Sequence, residues 1–151
     1  PFEGYVSFGQ IANSASYELT YLRLLDVIIT RRLMAAESQF VLFIIEKNDK
    51  ISTQKVQAVI DRAFDKLKKT NNRRPAKIAV QFKSKPDLSI SFPDFLLGVL
   101  GKYLRSAKAK AEAPIPRDRL LFERLRDKYR LILDADTATE FSRRRPIQPW
   151  S

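Results

Sequence analysis

Three carboxylates stand where acid chemistry could be done. Asp94 lies in Ser89–Tyr103, SISFPDFLLGVLGKY, at the mouth of a helix that is otherwise almost wholly apolar. Glu46 closes the hydrophobic run Gln39–Glu46, QFVLFIIE, and Asp49 follows in the Asn48-Asp49-Lys50 turn. In layered α/β domains, C-terminal strand ends and helix N-termini often share one edge, where ligands bind. Glu46, Asp49 and Asp94 meeting there would hold Mg²⁺ or Mn²⁺. A two-metal phosphodiester hydrolase needs that charge density to bind its ions, activate water and stabilise the leaving oxygen. A structural reading stands beside this one. Ser91 and Asp94 have capping-box spacing, and Pro93 suits a first helical turn. Glu46 and Asp49 are then only the polar end of a strand and its turn.

Other chemistries are excluded by composition. The 151-residue chain has no cysteine and no histidine. That removes disulfides, Cys/His zinc sites, thiol nucleophiles and Ser-His pairs. Any metal must be a hard cation on carboxylates. No run reaches the length of a membrane span and no secretory signal opens the chain, so a cytoplasmic protein is expected. The chain starts at Pro1 and its one methionine is Met34. A processed product or a piece of something longer is therefore expected.

The second constellation is basic. Lys and Arg number 28 against 17 Asp and Glu, a net charge of +11. Lys66, Lys68, Lys69, Arg73 and Arg74 cluster at a helix end and its loop. Arg105, Lys108, Lys110, Arg117 and Arg119 form a second group, and Arg143–Arg145 a third. Such cations supply most non-specific nucleic-acid affinity through phosphate contacts. Few aromatics are interleaved, which argues against a single-strand stacking platform. A solvated basic face, or one that docks on an acidic partner, is the plainer alternative; an anionic membrane surface is a third.

The elements that must position these residues read as one α/β domain. Apolar content is 44%, enough at this length for a real core. Residues 1–15 have no clear period and suggest a loop or a short extended lead-in. Tyr17, Tyr21, Leu24, Leu25 and Ile28 mark a helix from Ser14 or Ser16 to about Ala36. Gln39–Glu46 predicts a central strand covered on both faces. Ser52 or Thr53 caps an amphipathic helix with Val56, Val59, Ile60, Ala63, Phe64 and Leu67 on one face. Ala76–Phe82 alternates like a strand, and Leu88–Phe92 adds a short extended piece. The helix that follows, with Phe95, Leu96, Val99, Leu100, Tyr103 and Leu104, has an apolar face too wide for a surface helix and should be buried. A further helix is expected over Arg117–Leu131, with Tyr129 and Ile132 inward. Asp134–Phe141 reads as a turn with a short strand, before a basic tail from about residue 143. The alternation of strand and helix predicts a layered mixed sheet with flanking helices.

Two segments carry a resemblance. LFIIEKNDKISTQKVQAVIDRAFDKLKK, followed by IAVQFKSKPDLSISFPDFLLGVLGKYL, resembles the second half of the bacterial and phage family catalogued as domain of unknown function 3800. The tail TEFSRRRPI is similar to that family's frequent closing segment. The resemblance covers roughly residues 17–147. It implies an RNase H-like fold, with Glu46 and Asp94 at presumed metal-ligand positions. The family's opening strand ending in Asp-Glu-Ser-Gly has no counterpart here, and Glu46 stands where Asp is expected. The expected function is therefore a nucleic-acid-binding domain that belongs to, or descends from, a metal-dependent nuclease. On these residues it should not cut alone; its own missing N-terminal segment or another chain would complete it. The alternative is a non-catalytic interaction protein whose basic surface docks on an acidic partner or a ribonucleoprotein.

Overall fold

The N-terminal segment, which has no legible period, forms a strand. In the computed structural model, which describes residues 4–9, 16–36, 40–70, 77–84, 88–108 and 116–147, β1 (Gly4–Phe8) is followed by α1 (Tyr17–Met34), β2 (Phe40–Glu46), α2 (Thr53–Thr70), β3 (Lys77–Lys83) and α3 (Leu88–Lys108). Then come α4 (Pro116–Leu125), a 3₁₀ turn (Arg126–Lys128), β4 (Tyr129–Asp134) and β5 (Thr139–Phe141). The fold is mixed α/β with two sheets. β2 and β3 pair in parallel from Phe40 opposite Lys77 to Glu46 opposite Lys83. β1 pairs in parallel with β4, reaching Phe8 opposite Asp134, and β4 pairs antiparallel with β5.

Each sheet has its own core. The first gathers Ile29 and Leu33 of α1, Val41 and Phe43 of β2, and Val56, Ile60, Ala63 and Leu67 of α2. α2 forms as expected: its apolar residues recur at three- and four-residue spacing, and the Ser52 hydroxyl accepts the Lys55 N–H at 3.3 Å. The second core gathers Val6 of β1, Leu96, Val99, Leu100 and Tyr103 of α3, Phe122 of α4, and Tyr129 and Ile132 of β4. Tyr103 and Phe122 stack with centroids 4.0 Å apart, and the Tyr129 hydroxyl donates to the Leu96 carbonyl at 2.7 Å.

β1 joins the layers. Val6 faces α3 in the second core, while the Ser7 hydroxyl donates to the Leu24 carbonyl of α1 at 3.1 Å. Helices therefore cover both faces of this strand. α3 comes so close that a Cβ at Gly4 would meet Leu96 Cδ1 at 3.1 Å. α1 also reaches the β4–β5 hairpin, through Arg23 to Asp136 at 2.8 Å and Arg31 to Glu140.

Four expectations are corrected. β2 is not a central strand covered on both faces: Val41 and Phe43 are buried, but Phe40, Leu42 and Ile44 are 50%, 42% and 37% exposed. Helices α1 and α2 pack on one side only. Leu88–Phe92 is helical rather than extended, so Pro93 lies inside α3 and Asp94 is its seventh residue, beyond its mouth. Proline removes one intrahelical bond there, yet the helix extends on its N-terminal side. α3 is buried along one face rather than all round; Phe95 and Leu97 are about half exposed. Finally, α4 stops at Leu125, and Tyr129 and Ile132 bury themselves from a strand. YRLILD suits a pleated, half-buried surface, and pairing with β1 decides the outcome.

Candidate nucleic-acid surface and carboxylates

The three expected carboxylates sit on separate elements. Glu46 is half-buried at the end of β2, opposite Lys83 in register. Asp49 is exposed in the tight turn closed by the Asn48–Ile51 bridge. Asp94 is exposed on α3, whose buried face belongs to the other core. Among the described residues, no group of three or more acidic side chains is placed to hold a metal ion. Glu46, Asp49 and Asp94 do not form such a group.

The end of β2 has a different chemistry, built by tyrosines. Tyr17 and Tyr21, one turn apart on α1, stack with centroids 6.3 Å apart. The Asn48 side-chain amide donates to the Tyr17 hydroxyl at 3.2 Å, and the Lys50 ammonium lies 5.5 Å from the centre of the Tyr17 ring. Burial raises the Tyr21 phenol above its ordinary pKa, with smaller contributions from Tyr17 and the Glu46 charge. A second acidic corner closes β4. There Asp134 accepts the Asp136 N–H at 3.0 Å and the Thr137 hydroxyl at 2.9 Å, which makes it a turn-former.

Of the expected basic clusters, the described cations fall on α2, α3, α4 and the tail. Lys66, Lys68 and Lys69 are exposed along the last turns of α2, with Arg62 one turn earlier. Lys68 lies 3.7 Å from Asp65 and 4.8 Å from the centre of the Phe64 ring. Arg117 and Arg119 are exposed on α4, on the other core. The tail meets the turn after α4: Arg143 donates to the Asp127 carbonyl at 2.8 Å, and Arg144 and Arg145 are exposed beside it. Arg105 is exposed on α3. Lys108 is the last residue of α3; Arg73, Arg74 and Lys110 lie outside the described residues. α2 belongs to the first core and α4 to the second.

Sequence reasoning missed the tyrosine pair because an i, i+4 spacing on an apolar helix reads as core. The signal that could have found it is the polar turn Asn48–Lys50 next to a strand end. Among the described residues, no helix is long and apolar enough to cross a membrane. No known protein family, curated protein or solved structure matches this chain.

Proposed function

We propose that this chain binds the sugar-phosphate backbone of nucleic acid through the outer face of α2. The observation that carries the reading is the row Arg62, Lys66 and Lys69, spaced i, i+4 and i+7 on one face of α2 and all exposed, in a chain with net charge +11. Lys and Arg at such spacing contact phosphates without reading bases. The α4 and tail arginines offer a second strip for a long polyanion. An RNase H-like ancestry belongs to the same proposal; it rests on the resemblance of β2, α2, β3 and α3 to the second half of the uncharacterised nuclease-like family. The same proposal expects binding without cutting by this chain alone, with or without Mg²⁺ or Mn²⁺, because the family's opening Asp-Glu-Ser-Gly has no counterpart here.

Titration of duplex DNA and RNA by fluorescence anisotropy tests this. A surface neutralising about five phosphates should lose roughly 500-fold in affinity for duplex DNA between about 50 and 200 mM salt. Reversing Arg62, Lys66 and Lys69 to Glu should weaken binding to every sequence and lower the salt slope by about three. Absence of binding at low salt would sink the proposal. It would favour a second reading, docking on an acidic protein or ribonucleoprotein, to which the exposed Phe40, Leu42 and Ile44 would contribute.

A further inference from the structure

A cavity of about 500 Å³ opens between β1, α1 and α3, within the size range of small-molecule sites. Its walls include Tyr5 and Val6 of β1, Leu24, Leu25 and Ile28 of α1, and Leu96 of α3. β1 has no strand partner on this side among the described residues, since β4 is its one neighbour in the sheet. Water in such a space would meet few polar partners.

The lining has a direction. On α1, Tyr21, Leu24, Leu25, Ile28 and Arg32 follow one another at helical spacing, so they share a face over about 16 Å of axis. Tyr21 to Ile28 line the cavity. One turn further, the Arg32 guanidinium stands 5.6 Å from the centre of the Tyr5 ring, itself part of the wall. The space is thus apolar along its length, and Arg32 stands next to it against the ring of Tyr5 rather than in its wall.

We propose that this cavity binds a single-chain aliphatic carboxylate. Its chain would lie along the α1 stripe and its carboxylate on Arg32, whose planar fork matches a carboxylate. The site is independent of the α2 surface and adds a ligand class to the nucleic-acid reading.

The whole chain, titrated with the fluorescent fatty acid cis-parinarate and then with unlabelled competitors, provides the test. Affinity should rise about fourfold per added methylene from octanoate to dodecanoate. Dodecanoate should compete better than dodecanol by about tenfold, as expected for one charge-assisted contact. Arg32→Glu should abolish that preference and leave dodecanol competition unchanged. Ile28→Trp should fill the cavity and lower the affinity of acid and alcohol alike. Leu97→Trp, at a half-exposed lining position, is the second filling variant if the first does not fold. Affinity independent of chain length, or unchanged in a folded tryptophan variant, would place the carboxylates on the basic surface and overturn the proposal.

Discussion

Tyr129→Phe separates two consequences of one buried hydroxyl. Tyr129 is 3% exposed, packs against Phe122 with centroids 5.4 Å apart, and donates to the Leu96 carbonyl at 2.7 Å. Removing the hydroxyl deletes one buried hydrogen bond that ties β4 to α3, at a net cost of about 1 kcal/mol. Burial also pushes the phenol up to about 12, whereas a tyrosine in the unfolded chain titrates near 10. Below pH ~10 both states hold the proton, so the stabilising contribution of the neutral phenol is complete. As pH rises towards 12, the unfolded chain ionises first and the contribution is lost, on the order of 2 kcal/mol. The phenylalanine variant has no such loss at this position. Urea unfolding of both proteins across pH 8–12 should therefore show wild type ahead at pH 8, with curves that cross near pH ~11. Other titrating groups are common to both proteins and cancel in the difference. A stability difference constant with pH would refute the argument, as would a variant no weaker at pH 8.

Two further substitutions probe packing and backbone. Ile60→Ala, at a position with 0% exposure in the first core, should cost about 2–5 kcal/mol by urea titration with an unchanged m-value; a cost below 1 kcal/mol would mean that α2 is not seated as described. Ala138→Gly in the β4–β5 turn, where φ is 55°, should stabilise by about 0.5 kcal/mol, because relief of the left-handed strain exceeds the added entropy of glycine; calorimetry finding a lower midpoint would contradict this.

What was legible in the sequence depended on how local the cause is. α2 could be read almost to the residue, since its stripe from Val56 to Leu67 and its Ser52 cap lie in one short stretch. β1 could not: it is five residues long, carries a glycine, and becomes a strand because β4 lies beside it. The spacing Leu121, Phe122, Leu125, Tyr129, Ile132 continues a helical period straight through the start of β4, so periodicity alone misplaces that boundary. Pro93 reads as a helix start because proline is favoured in first turns, and that error put Asp94 at a mouth it does not occupy. The exposure of Lys66, Lys68 and Lys69 was legible. The membership of α2 and α4 in different cores was not, because it depends on packing between elements.

The parallel pairing of Gly4–Phe8 with Tyr129–Asp134 joins two segments about 125 residues apart in the chain. At ribosomal speeds β1 emerges on the order of ten seconds before its partner. The first core needs only residues from α1 to β3 and can assemble during that interval. The second core must wait for both segments, and long-range pairing of this kind is slow in itself. Until it closes, β1 has two open edges and the Leu96–Tyr103 face of α3 lacks Tyr129 and Ile132. That interval is the stage at which a chaperone that holds extended apolar segments would alter the yield of folded protein most, and at which substitutions in β4 would be felt as aggregation as well as in equilibrium stability.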